Sequence, residues 1–187
     1  MAARQSPRSF QDYSDDFGRA FSSFAAIPAS SCTKTETVGR IDGLGATVTD
    51  DCDAAQMMNA FRKHVRSRQN TMYELDGAMD WRYSQIRDNK GNQIGVSKDY
   101  QGKCNALGDC EEAEAKVEYS TENNDGQERK CFEIELDGKV IDTNQTVVVT
   151  KLCVANDHLS AYQSASVLGV KAWTELKIES ESPAKAK

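Results

Sequence analysis

Residues 115–136 read AKVEYSTENNDGQERKCFEIEL, two runs of alternating apolar and polar residues around Asp125-Gly126. An Asp-Gly pair between such runs is a two-residue hairpin turn, because both central positions need the left-handed conformation. The turn pairs Tyr119 with Phe132, Val117 with Ile134 and Ala115 with Leu136, and all six then share one face. A loop at 141–143 adds a third strand, with Leu136 opposite Val148 and Phe132 opposite Leu152. The same register sets Glu133 against Lys151, a favourable cross-strand pair, and Cys131 against Cys153 within disulfide reach. Residues 111–154 are therefore read as a meander. A competing turn at Asp137-Gly138 would leave 147–149 to a separate strand.

Around this centre, 81–98 reads as a hairpin turning at 88–92, with Gly91 at positive φ, Asp88 opposite Asn92 and Ile86 opposite Ile94. A calcium loop over Asp88–Asp99 is rejected, since Lys90 and Gln93 occupy positions where a ligand and a glycine are required. A short helix is expected over 158–168, capped by Asn156 or Asp157 and ended by Gly169, then a last strand over 170–179 with strict alternation. Residues 33–49 read as loop or a short strand, and Gly43-Leu-Gly45 is too sparse for a nucleotide fingerprint.

The longest helical pattern runs over about 51–79. Ala54, Met58, Phe61, Val65, Met72, Leu75 and Met79 keep helical phase after N-cap candidates Thr49, Asp50 and Asp51. The fold class expected is α+β: this long amphipathic helix packed on an antiparallel sheet of about six strands, stapled by disulfides. A long helix on an antiparallel sheet with a late cysteine pair resembles pilin architecture, without the apolar segment that opens a pilin helix. Three regions are expected: an aromatic N-terminal arm or helix at 1–31, one domain at 32–180, and a polar tail at 181–187.

The 187 residues carry a formal charge of −6, which disfavours a chain-wide attraction to nucleic acid or anionic lipid. No run approaches the roughly 20 apolar residues of a membrane helix, so no membrane insertion is expected. Arg4, Arg8, Asp12, Asp15, Asp16 and Arg19 interrupt any apolar leader, and the Ala-Ser-Ser-Cys of 29–32 is a weak lipobox. The six cysteines are expected to pair locally as Cys32–Cys52, Cys104–Cys110 and Cys131–Cys153, which places the chain in an extracellular, cell-surface or periplasmic compartment. Free buried thiols are the competing reading. Zinc is disfavoured by the spacing, and no Cys-x-x-Cys is present.

Phe10, Tyr13, Phe17, Phe21 and Phe24 fall on one helical face. That face packs either on its own domain or on a neighbouring subunit, and a self-association role is assigned to it. Arg62, Lys63, Arg66 and Arg68 surround His64 on the long helix. They read as a solvated basic face or as a patch for an acidic partner such as segment 109–114 of another copy. Asp157-His158 and the alternating Glu112, Glu114, Glu133 and Glu135 lack a positioned reactive partner, so no catalytic residue, metal or cofactor is expected. Asn144-Gln-Thr matches an N-glycosylation acceptor.

The function expected is a non-enzymatic, self-assembling subunit of a surface appendage, filament or virion, associating with itself or with other structural subunits. A secreted or periplasmic binding module shares these features, and a concave apolar pocket with a few polar groups would distinguish it. A small hydrolase with scattered carboxylates is the third reading.

Overall fold

The turn at Asp125-Gly126 forms as its sequence dictates, with both residues at positive φ (53° and 81°). In the computed structural model, which describes residues 7–40, 45–76, 81–100, 115–137, 146–167 and 170–181, it joins β5 (Ala115–Asn124) to β6 (Gln127–Asp137). Their register is Tyr119↔Phe132, Val117↔Ile134 and Ala115↔Leu136. The strand β7 (Thr146–Val154) pairs Leu136↔Val148, Phe132↔Leu152, Glu133↔Lys151 and Cys131↔Cys153, all as the alternation requires.

The sheet is larger than expected, although the hairpin strands of 81–98 and the last strand of 170–179 do form. Hairpin β1 (Ala29–Arg40) and β2 (Gly45–Asp51) precedes α2 (Ala54–Asp76). After it come β3 (Trp81–Arg87), β4 (Gln93–Tyr100), β5 to β7, β8 (His158–Val167) and β9 (Val170–Ser180). Among the described residues, nine strands form one antiparallel sheet in the order β2-β1-β9-β8-β7-β6-β5-β4-β3. This overturns the α+β expectation of about six strands under one long helix, and with it the pilin-like arrangement.

Two segments account for the added strands. Within the segment 158–168, expected as a helix, residues 158–167 form β8, because both neighbours are strands and Leu159 and Ala161 alternate inward with Ser160 and Tyr162 outward. Residues 33–40 and 45–49 form most of the first hairpin, where Thr35 faces Thr49 and Thr37 faces Thr47 through hydroxyl contacts of 3.2 and 3.1 Å. The hairpin 81–98 also shifts by one residue. Asp88 still bonds Asn92, and Gly91 takes φ 83°, but a bulge pairs Ile86 with Gly95 rather than Ile94. Gly95 is required there. A Cβ on it would lie 2.5 Å from the Tyr119 carbonyl oxygen of β5.

The helix that dominates the core is the N-terminal one, α1 (Phe10–Ala25). Ser9 caps it, bonding the Asp12 amide at 3.1 Å while the Asp12 carboxylate returns to the Ser9 amide at 3.0 Å. Tyr13, Phe17, Phe21 and Phe24 are buried to 4–8% exposure in the core cluster, Phe17 against Tyr119 and Phe132, and Phe10 packs edge-on to Tyr119 and Tyr83. The aromatic face assigned to self-association is thus part of the chain's own core, and β1 begins within residues 1–31.

The contribution of α2 is smaller. Ala54, Met57, Met58 and Phe61 are half-buried on the same cluster. Asp53 is its cap, bonding the Gln56 amide at 3.1 Å, because Thr49–Asp51 continue β2 and Cys52 is tied to Cys32. Aromatic rings each bury about 150–250 Å², and α1 brings a stripe of them while α2 packs Phe61 beside Ala54, Met57 and Met58, so α1 holds more of the sheet. Both helices lie on one face of the sheet, opposite the alternate residues Ile134, Leu152, Leu159, Leu176 and Ile178.

Candidate functional site

Among the described residues, two of the three expected disulfides are formed. Cys32–Cys52 ties β1 to the start of α2, and Cys131–Cys153 joins directly opposed residues of β6 and β7, with Cα atoms 5.0 and 4.1 Å apart respectively. Cys104 and Cys110, the acidic segment 109–114, Asn144 and the tail 182–187 lie outside the described residues. Arg62, Lys63 and Arg66 are exposed on α2, while the Arg68 side chain lies outside the described ones.

His64 points the other way from its basic neighbours. Its Nε2 lies 3.2 Å from Thr150 Oγ1 on β7, so the sheet fixes the ring at the edge of a cavity under α2. The cavity measures about 300 Å³. Met57, Ala60 and Phe61 of α2 roof it, Leu152, Ala161 and Leu176 form its apolar floor, and His64, Thr150, Gln163 and Lys34 bring polar groups to its rim. The arrangement follows from strand alternation: Leu152, Ala161, Leu176 and Lys34 are consecutive cross-strand neighbours on the helix-bearing face. Apolar walls with few convergent polar groups are the usual composition of a small-molecule site, and about 300 Å³ is at the lower end of its size range. Sequence reading placed His64 in a basic run and missed this role, because the partner Thr150 lies 86 positions away.

The opposite face carries a second, polar hollow of about 670 Å³ across β6, β7, β8, β9 and β1. Ser31, Thr33, Ser160, Tyr162, Lys177 and Glu175 line its walls, and Arg129, Lys151 and Cys153 lie at one end. There Glu122 receives Arg129 at 2.6 Å on Oε2 and Lys151 at 2.9 Å on Oε1. Lys151 thus reaches past its cross-strand neighbour Glu133. Burial pushes the Glu122 carboxyl up, but the bonds from Lys151 and Arg129 outweigh it and hold it below the ordinary carboxylate range. Arg129 Nε is buried without a hydrogen-bond partner. Among the described residues, Glu122, Cys131 and Cys153 form the one set of three potential metal ligands, with ligand atoms all within 4.8 Å of one another.

Glu133 is the other perturbed acid. Burial, then the like charge of Glu118 directly opposite on β5, push its carboxyl up. Asp157 and His158 do meet, Nδ1 to Oδ1 at 2.8 Å, and Gln127 donates to the same oxygen at 2.7 Å. The bonds from His158 and then Gln127 lower the Asp157 carboxyl. This contact ties the β7–β8 turn to β6, a structural arrangement.

Among the described residues no helix is long and apolar enough to cross a membrane. Comparison with protein-family models, curated proteins and solved structures finds no match for this chain.

Proposed function

We propose that this chain is an extracytoplasmic binding module that takes a small apolar molecule with a single polar or acidic head into the cavity under α2. The observation that carries this reading is the composition of that cavity: an apolar floor and roof, with His64, Thr150, Gln163 and Lys34 at the rim. The apolar part of such a ligand would lie against Phe61, Leu152 and Leu176, and its head against the rim groups. The disulfides are consistent with an extracellular or periplasmic location. The self-assembling subunit expected from the aromatic arm has less support, because Tyr13, Phe17, Phe21 and Phe24 are already packed on the chain's own sheet.

The test is titration with 1-anilinonaphthalene-8-sulfonate, whose rings and sulfonate match the two halves of the site, followed by competition with a medium-chain fatty acid. Saturable binding is expected. Ala60→Trp, which places an indole in the cavity from the exposed side of α2, should weaken it at least tenfold without changing the far-ultraviolet spectrum. Non-saturable fluorescence, or unchanged affinity in folded Ala60→Trp, refutes the assignment.

A further inference from the structure

The cross-strand cystine has a property that neither its staple role nor the cavity under α2 requires. Three adjacent strands each present one potential metal ligand on the outer face: Glu122 from β5, Cys131 from β6 and Cys153 from β7. The three ligand atoms lie within 4.8 Å of one another. Tetrahedral zinc, with bonds of about 2.3 Å to sulfur and 2.0–2.2 Å to oxygen, spaces its ligands roughly 3.5–3.8 Å apart. Rotation about the cysteine side-chain bonds reaches that spacing once the sulfurs separate. The set adjoins the outer polar hollow, which Cys153, Arg129, Lys151 and Ser160 also line, so a fourth position faces open space.

The geometry points to a redox-gated site: reduction of Cys131–Cys153 converts the cystine into a three-ligand centre for zinc or a similar divalent thiophilic ion, with Glu122 as the oxygen ligand and the fourth position open to the hollow. A dithiol reductant supplies two electrons and two protons to the cystine and becomes a disulfide itself. The metal then displaces the two thiol protons to solvent. Charge favours this outcome over a pair of bare thiolates. With the disulfide closed, Glu122, Arg129 and Lys151 carry a net charge of +1. Two thiolates would make it −1 at sulfurs that are 2% and 3% exposed as residues, and a divalent ion restores +1. Arg129 and Lys151 would keep bonding Glu122 through lone pairs the metal does not use, in the way metal-ligating carboxylates are commonly held by further partners.

The experiment uses the full chain, reduced with a phosphine, moved to metal-free buffer and titrated with Co²⁺. One equivalent should produce thiolate-to-cobalt absorption, and Zn²⁺ should abolish it. The band should persist in Cys32→Ser/Cys52→Ser, vanish in Cys131→Ser/Cys153→Ser, and need at least tenfold more Co²⁺ in Glu122→Gln. Alkylation of the wild-type reduced chain gives a second readout that needs no variant: Zn²⁺ should protect Cys131 and Cys153 at least tenfold. Absence of a thiolate band, an equal band without Cys131 and Cys153, equal affinity in Glu122→Gln, unprotected Cys131 and Cys153, or a reduced chain that loses its sheet spectrum and does not regain it with Zn²⁺ each overturns the proposal.

Discussion

Truncating Phe17 to alanine tests whether the N-terminal helix is a core element of its own chain. Phe17 is 4% exposed, and its ring centroid lies 5.8 Å from Phe132, 5.9 Å from Tyr119 and 6.2 Å from Phe21. Phe132 and Tyr119 are themselves 2% and 3% exposed, so the space vacated by the ring is walled by side chains already packed on the sheet. Buried Phe→Ala changes cost about 3–5 kcal/mol, the upper part applying where the cavity cannot collapse. Loss of the aromatic contacts, about 0.5–1.5 kcal/mol per pair, is already contained in such measured totals and favours the upper half here. For a domain of this size each kcal/mol moves the melting temperature by about 2–4 °C, so a drop of roughly 8–20 °C is expected. Urea unfolding followed by circular dichroism, at two protein concentrations tenfold apart, is the assay. A loss under about 1 kcal/mol refutes burial in the core. A wild-type midpoint that rises with concentration would mean that α1 seats on another copy, which the monomeric packing does not predict.

Gly95→Ala should destabilise by about 1–3 kcal/mol, the usual cost of forcing atoms into a packed position, since the new Cβ would meet the Tyr119 carbonyl oxygen at 2.5 Å and the Ser120 Cβ at 2.9 Å. An unchanged urea midpoint would show that β4 and β5 do not approach so closely. Glu133→Gln should raise the urea midpoint at pH 7. Burial and Glu118 raise the Glu133 carboxyl in the folded state above its unfolded value, so its ionised form disfavours folding at neutral pH. The wild type recovers stability relative to the variant as pH falls through the folded pKa, and the gain should therefore shrink toward the ordinary carboxylate range; a gain that grows on acidification would contradict this sign.

The central meander was legible in the amino-acid sequence because its information is local. Asp125-Gly126 sets the turn, alternation sets the face, and Cys131 opposite Cys153 agrees with both, so one register satisfies the three at once. The Gly91 turn was legible for the same reason. The strand at 158–167 was not, because a ten-residue run of small, polar and apolar residues fits either period, and pairing with β7 and β9 on both sides decides it. Periodicity also located the aromatic stripe of α1 while leaving its partner open, since a stripe records that a face is buried and not what covers it. Of the candidate sites, only the opposed Cys131 and Cys153 were legible in the sequence. His64 and Thr150 are 86 positions apart, and Glu122 reaches Lys151 across 29, so their proximity exists only once the sheet has brought β5, β7 and α2 together. Local turn chemistry and side-chain alternation belong to the chain by itself. Which helix fills the core, and which distant polar groups share a cavity, follow from long-range packing of a nine-stranded sheet.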